Sequence, residues 1–221
     1  MVQKDYLMRM IEQFAMILMK IVLYKQMKQF DQARQEMNTA YKLMLNSEPD
    51  QIKNKPADKI AGMLKSDDKA AAEKLMIAAE LLREEAEICE SEEGFGDDIF
   101  HLLCKSFYLY IDALEYENSY KTSEYLEKID TIVKKITKYE LSSQTKTKLY
   151  QYYELIERFD KAENILYELI DARYENILIE GRAFYDRLLK KPDRELSDGN
   201  LPRTEVQEGL AKIEKLESNK T

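Results

Sequence analysis

The chain has 221 residues, of which 44% are hydrophobic, and a formal net charge of −8. This acidic balance disfavours general nucleic-acid binding, which needs a basic surface, and it suits a cytoplasmic protein that stays dispersed by self-repulsion. Only six Gly, four Pro and no Trp occur. Because helix breakers are so rare, the composition predicts an all-α protein.

The first predicted helix runs from about Asp5 to Lys28 and is apolar on nearly every side. Between Phe14 and Tyr24 the only charged residue is Lys20. A helix with this pattern is normally buried on several sides. It is therefore predicted to be the core post of the fold or, alternatively, the seam of a homodimer. Its charged residues argue against membrane insertion.

Two widely separated stretches share one pattern, in which an aromatic residue precedes a Phe-Asp pair and a small residue follows one turn later. The first stretch holds Tyr24, Phe30, Asp31, Ala33 and Ala40, and the second holds Tyr153, Phe159, Asp160 and Ala162. Each stretch predicts a tight helical hairpin. The two aspartates are expected to cap the second helix of each hairpin, and Glu163 is the expected capping-box partner of Asp160.

The positions of helix-breaking residues predict the domain organisation. Residues 1–190 are predicted to be one helical-repeat-like domain, whose last helix runs without interruption from Asp160 to about Leu188. Residues 191–203 are polar and rich in breakers, which is typical of a linker. Residues 204–221 are predicted to be an amphipathic helix with a short tail, and reversible docking of that helix would make the protein a regulatory sensor.

The two hairpin stretches resemble tetratricopeptide repeats, whose unit is a 34-residue pair of helices. The match departs from the family pattern at Ile21 and Tyr150, where a small residue is usual, and at Leu169, where Ala is usual. The resemblance implies stacked antiparallel hairpins in a right-handed array with a long closing helix. The opening run, Asp5 to Phe14, is also similar to the start of an uncharacterised bacterial family, which implies no activity.

Tetratricopeptide-like arrays often bind peptides on the groove that is lined by the first helix of each hairpin. Matched by position, the second hairpin would present Gln144, Thr147, Gln151 and Glu154. The first would present Ala15, Leu18, Val22 and Lys25. The second set is polar and can face solvent, or it can bind a peptide. The first set is too apolar to stand open in water, so a later helix or a second subunit is expected to cover it.

The acidic run from Glu84 to Asp98 contains eight carboxylates and no basic residue. It could be a divalent-cation site, a docking patch for a basic partner, or a solvated helix face. The ligand order of a calcium loop is missing, so the solvated face is the favoured prediction. A basic segment, residues 134–148, could meet an acidic partner, including this run in another copy.

No catalytic residue, metal site or cofactor is predicted. The single histidine, His101, cannot form a two-histidine metal site, and it is expected to be a partly buried helix residue. Cys89 and Cys104 are expected to be small apolar fillers in a reducing compartment, with a disulfide between them as the alternative.

The sequence thus predicts a non-catalytic protein–protein interaction module or scaffold that binds a peptide or protein partner on a helical groove. The alternatives are a structural homodimer with the first helix as its seam, a regulatory sensor, and a metal-dependent enzyme that uses residues 84–98.

Overall fold

The structure is a computed structural model that describes residues 2–66, 70–117 and 120–218. These residues form α-helices and no β-strand, so the all-α prediction is confirmed. The helices are α1 (Val2–Gln26), α2 (Phe30–Leu45), α3 (Pro49–Lys53), α4 (Ala57–Lys65), α5 (Ala71–Glu93), α6 (Asp97–Tyr116), α7 (Ser123–Ile136), α8 (Ser143–Leu155), α9 (Phe159–Asp171), α10 (Ile177–Leu188), α11 (Asp193–Asp198) and α12 (Arg203–Ser218).

The chain divides into two compact units, Met1–Tyr139 and Glu140–Thr221. The first contains α1 to α7 and the second contains α8 to α12. The boundaries predicted from the sequence, after residues 190 and 203, both fall within the second unit. The last residues of the predicted tail, 219–221, lie outside the described residues.

The first unit is built around α5, which is buried on almost every side. Its alanines and large aliphatic residues both face inward, and α6 packs along its length. By contrast, α1 buries only one face, which contains Met10, Phe14, Ile17 and Ile21. The prediction that the first helix is the core post is therefore wrong. A helix that is apolar nearly all round is expected to be covered on every side, but the described residues of this chain cover only one side of α1.

Both predicted hairpin corners are confirmed, and their geometries match. In the first corner Lys28 is left-handed, with φ of 57°, and the Gln29 amide donates to the Tyr24 carbonyl at 2.8 Å. Such a bond across the end of a helix is the signature of a Schellman turn. Ala33, one turn into α2, is fully buried, so its small side chain lets α2 lie close to α1.

The second corner repeats this arrangement residue for residue. Glu157 also has φ of 57°, and the Arg158 amide donates to the Tyr153 carbonyl at 2.8 Å. Phe159 begins α9 and is fully buried, as is Ala162. The shared pattern therefore encodes one local structure that occurs once in each unit.

The predicted caps are wrong, although the helix starts are close to the predicted positions. Gln29 and Arg158 occupy the N-cap positions, and neither makes a side-chain capping hydrogen bond. Asp31 and Asp160 lie instead in the first turns of α2 and α9, where a negative charge favours the helix dipole. Glu163 accepts a hydrogen bond from the Tyr185 hydroxyl at 2.6 Å.

The long closing helix predicted from Asp160 to Leu188 is also wrong, because it is broken into α9 and α10. Arg173 and Asn176 are left-handed, with φ of 53° and 59°. The Tyr174 amide donates to the Leu169 carbonyl at 3.0 Å, which closes α9. The sequence shows no Gly or Pro at this break, and Asn is one of the few other residues that readily adopt a left-handed conformation.

Residues 191–203, predicted to be a linker, contain α11 and pack into the second unit. Leu196 and Leu201 are buried, and the Gly199 carbonyl accepts a hydrogen bond from the Asp160 amide at 3.3 Å. In α12, Gly209 lies so close to Tyr185 that an added Cβ would be 2.3 Å from the ring. The helix α12 is therefore a closely packed part of this unit.

Candidate functional site

The groove residues predicted from the sequence lie along α8 and differ in solvent exposure and in hydrogen bonding. Gln144 is exposed, and Thr147 is half-buried. The Thr147 hydroxyl donates to the Ser143 carbonyl at 2.9 Å. Gln151 is half-buried, and its side-chain oxygen is enclosed without a hydrogen bond. These positions share one helix, but they do not form an open polar strip.

The fourth groove residue, Glu154, is held by an arginine. Arg187 of α10 donates to both carboxylate oxygens of Glu154, at 2.7 and 2.8 Å, and also to Glu180 at 2.9 Å and to the Tyr150 hydroxyl at 3.2 Å. Hydrogen bonds to Glu154 and nearby charge raise the pKa of Arg187 above its usual value. Two-pronged pairing of this kind fixes geometry, so Glu154 ties α8 to α10.

The apolar groove set on the first hairpin is covered only in part. Leu18, Val22 and Lys25 are partly buried, whereas Ala15 is exposed. The Lys25 ammonium pairs with Glu84 and Glu87 of α5. The helix α5 thus covers the C-terminal end of this set, at Lys25. The N-terminal end, at Ala15, is exposed.

The acidic residues in the second half of the acidic run, from Glu92 to Asp98, are solvent-exposed as the composition predicts, but those in the first half are not. The side chains of Glu84 and Glu85 are only 1% and 8% exposed. Glu85 lies 3.2 Å from Arg34 of α2 and 2.8 Å from Lys53 of α3. Carboxylates this deeply buried need cationic partners. The run supplies the acidic half of an ion-pair cluster within the first unit.

Arg83, one residue before the run, lies at the centre of this cluster. Its guanidinium pairs with Glu80 at 2.9 Å and also with Glu84 and Glu87. Lys128 of α7 reaches Glu80 from the other side at 2.7 Å. The buried ion cluster comprises Lys25, Glu80, Arg83, Glu84, Glu87 and Lys128, and it joins α1, α5 and α7. Arg34, Lys53 and Glu85 form a second group of ion pairs, which joins α2 and α3 to α5.

Protonation of the cluster is set by two opposing effects. Burial disfavours the charged form of Glu80, but the nearby Arg83 and Lys128 outweigh burial and hold the pKa of Glu80 below its usual value. The pKa of Glu87 is lowered in the same way, because Arg83 and Lys25 outweigh the effect of burial. Both carboxylates are therefore ionised at neutral pH, and neither is prepared to act as a proton donor.

Among the described residues, the buried hydroxyl of Tyr41 has no hydrogen-bond partner, whereas the buried hydroxyl of Tyr110 lies beside Arg83 and Glu80. Burial and the nearby Glu85 charge raise the pKa of Tyr41 above its usual value. Burial, together with the nearby Glu80 charge, raises the pKa of Tyr110 as well. Both phenols are thus neutral, and neither is suited to act as a base or a nucleophile.

The acidic run does not assemble a metal site. Across residues 2–66, 70–117 and 120–218, no group of three His, Cys, Asp or Glu side chains is placed to hold a metal ion. Glu90, farther along the run, pairs with Lys135 of the basic segment in the same molecule. This contact lies within one copy, whereas the sequence suggested one between copies.

His101 is exposed rather than partly buried. It borders a depression of about 600 Å³ with Lys53, Lys55 and Lys105. Cys89 and Cys104 are half-buried and form no disulfide, so the alternative of a disulfide between them is wrong. Burial raises the pKa of the Cys89 thiol, which makes it a poor nucleophile at neutral pH.

Many of the exposed large hydrophobic residues of the first unit lie on α1, opposite its buried face. We call this surface the α1 outer face, and it consists of Met8, Ile11, Ala15, Met16, Met19 and Leu23, together with Met27 just beyond the end of the helix. The exposed Glu12 lies between these residues. Apart from Ala15, the apolar side chains are between 44% and 72% exposed. At 100° per residue they fall on one side of the helix. No helix of the described chain is long and apolar enough to cross a membrane.

Comparison with known proteins gives a family but no activity. No curated protein and no solved structure matches the chain. A model of a family of unknown function, DUF6483, matches residues 1–218. Because this match covers nearly the whole sequence, the chain belongs to the DUF6483 family of unknown function.

Proposed function

We propose that this protein is a non-catalytic protein–protein interaction module and that the α1 outer face is its binding surface. One observation carries the proposal, which is the row of exposed Met, Leu and Ile side chains on α1, interrupted only by Glu12. Apolar residues scattered singly over a surface are ordinary. Several exposed apolar residues grouped along one side of a helix are typical of a protein-binding site.

The chemistry of the stripe also favours a protein partner. Four of its seven residues are Met, and flexible thioether side chains adapt to the shape of another protein. Recognition of a helix face through anchors at spacings of three and four residues is a recurrent binding mode. The α8 residues predicted as a groove are a weaker candidate, because Thr147 and Glu154 already bond within the unit.

Two further parts of the proposal rest on coarser observations. Two matching hairpin corners support a tetratricopeptide-like arrangement, with each hairpin acting as a rigid support for a binding surface. The absence of a disulfide between the two cysteines supports a cytoplasmic location. The acidic net charge supports a partner other than nucleic acid.

Methionine oxidation tests the proposal directly, because α1 carries its own reference residue. In dilute purified protein, exposed Met16 and Met19 should oxidise quickly, whereas Met10 on the buried face of the same helix should oxidise slowly. In cells at native expression, a bound partner should slow the oxidation of Met16 and Met19 several-fold relative to the purified protein. Equal rates in both settings would mean that the face is bare in the cell and would refute the proposal.

A further inference from the structure

We propose that a basic depression on the first unit binds the phosphate group of a small organic phosphomonoester. The depression lies between one face of α6 and the segment that joins α3 to α4, and it encloses about 600 Å³. The cations of its lining are Lys53, Lys55 and Lys105. This inference is independent of the proposed function, since it concerns another surface of the unit and a small-molecule ligand.

The lining of the basic depression is positively charged, although the chain as a whole is acidic. The formal net charge of the chain is −8, whereas the lining contains three lysines and a single carboxylate, that of Asp98. With His101 counted as neutral, three positive charges and one negative charge give the lining a formal charge of +2. A phosphomonoester carries a charge of about −1.5 to −2 at neutral pH, so its charge matches that of the lining.

Two of the three lysines have no carboxylate partner. Lys105 donates to the backbone carbonyl of Lys53, and the Lys55 ammonium lies 3.8 Å from the sulfur of Met63. Neither Lys55 nor Lys105 forms an ion pair with a described residue. Five other half-buried lysines of the first unit do pair with carboxylates, namely Lys25, Lys53, Lys65, Lys128 and Lys135. The basic depression thus keeps two ammonium groups available to an anion from solution.

The burial of Lys105 favours an anion at this position. Lys105 is half-buried, and burial lowers the pKa of its ammonium because it disfavours the charged form. A phosphate oxygen beside the ammonium would favour the charged form again, since an opposite charge nearby stabilises it. Hydrogen bonds between lysine and phosphate are also strengthened by the charges of both groups.

The rest of the lining is suited to an organic group attached to the phosphate. Small-molecule sites commonly enclose about 300–1,000 Å³, so the depression has room for more than a phosphate ion. Leu102 supplies an apolar surface. Asn54, Asp98 and His101 supply polar groups that can form hydrogen bonds with hydroxyls. Glycerol 3-phosphate has hydroxyls close to its phosphate and is therefore a suitable probe.

The first experiment follows the ring protons of His101 by NMR at fixed pH while a ligand is added to the untagged protein. The chain has one histidine and it borders the basic depression, so its signals report on this site alone. Glycerol 3-phosphate should shift these signals to saturation, whereas sodium chloride at the same ionic strength should not. Inorganic phosphate should require concentrations about fivefold higher or more, because it lacks the organic group.

The second experiment repeats the titration with variants of the two unpaired lysines. Lys105→Gln and Lys55→Gln should each weaken binding about tenfold or more, because each removes a charge-assisted hydrogen bond to the phosphate. Lys55 lies in a loop, so its variant should fold even if the loss of the Lys105 contact disturbs folding. Lys138→Gln is the matched control, because Lys138 is exposed and lies outside the depression, and it should leave binding unchanged.

A variant of the single carboxylate should have the opposite effect. Asp98→Asn should strengthen the binding of inorganic phosphate about two- to fivefold, because it removes a negative charge from the lining. The proposal would be overturned if neither phosphate compound shifted His101 to saturation, or if folded Lys55→Gln bound as tightly as wild type. Weaker binding by Asp98→Asn would overturn the charge match, and equal affinities for the two phosphate compounds would overturn the organic part of the ligand.

Discussion

Replacing Arg83 with Met would remove the central charge of the buried ion cluster and keep a side chain of similar length. Arg83 contacts three carboxylates, and two of them, Glu80 and Glu84, have side chains that are only 1% exposed. Removing one partner of a buried ion pair costs about 3–5 kcal/mol, because the remaining charge stays buried without compensation. Lys128 and Lys25 would remain as partners, so we expect a loss of about 3 kcal/mol.

The assay is unfolding by urea, followed by far-ultraviolet circular dichroism, with hydrogen exchange to locate the loss. A loss of about 3 kcal/mol is a large part of the 5–15 kcal/mol by which domains are usually stable, so the midpoint should fall clearly. Amide protection should decrease in α5 and α7, while α9 and α10 in the second unit should keep their protection.

Arg182→Met is the matched control, because it removes an arginine that also contacts two carboxylates, but at the surface. Arg182 is 45% exposed and lies near Glu214 and Glu217. Exposed pairs contribute at most about 1 kcal/mol, so this variant should unfold almost as wild type does. The reasoning would be refuted if Arg83→Met cost no more than Arg182→Met. It would also be refuted if adding Glu84→Gln to Arg83→Met failed to restore part of the loss.

Acid should destabilise the protein through the same cluster. The folded-state pKa of Glu80 is lowered, so ionised Glu80 contributes to the free energy of unfolding above its unfolded-state pKa, and this contribution is lost as pH falls through the lower folded-state value. Urea titrations at pH 7 and pH 3.5 should show this loss of stability. The loss should be smaller in variants that lack the cationic partners of Glu80. Tyr41→Phe should leave thermal stability unchanged or raise it, because the lost hydroxyl is buried without a partner; a clear fall in melting temperature would indicate a missed hydrogen bond. Gly209→Ala should destabilise the second unit by about 1–3 kcal/mol, because the new methyl would collide with Tyr185. Gly62→Ala is the control, because a Cβ added at Gly62 meets nothing within 4 Å, and it should stabilise α4 by up to about 1 kcal/mol. Equal effects of the two glycine variants in thermal unfolding would contradict the packing described for α12.

Local sequence patterns predicted the hairpin corners well, because the corners are formed locally. A Phe-Asp pair followed by Ala describes a turn and the first buried contact after it, and both corners have this structure. The break between α9 and α10 is just as local but was missed. Its left-handed residues are Arg173 and Asn176, and of these only Asn is a residue type by which helix ends are recognised. Asn176 and the interruption of the inward stripe by Arg173 are the signals that could have revealed the break.

The buried ion cluster shows where composition misleads. A run of acidic residues suggests a solvent-exposed surface, because carboxylates are rarely buried without partners. The spacing of Glu80, Arg83, Glu84 and Glu87 places them on one helix face, and this signal was available in the sequence. The cations from α1, α2, α3 and α7 were not available, since only the tertiary fold brings them to α5. The same limit applies to α1. Its composition predicts that the helix is covered, but it does not indicate which element or molecule covers it.

Lys28 and Glu157 close the two matching corners in a conformation that glycine adopts more easily. Both have φ of 57°, and a left-handed backbone costs a non-glycine residue roughly 1–2 kcal/mol. Replacing these two residues with glycine should therefore increase the stability of the protein to heat. Glycine at both corners would give engineers a sturdier background in which damaging substitutions elsewhere could be studied without losing the protein.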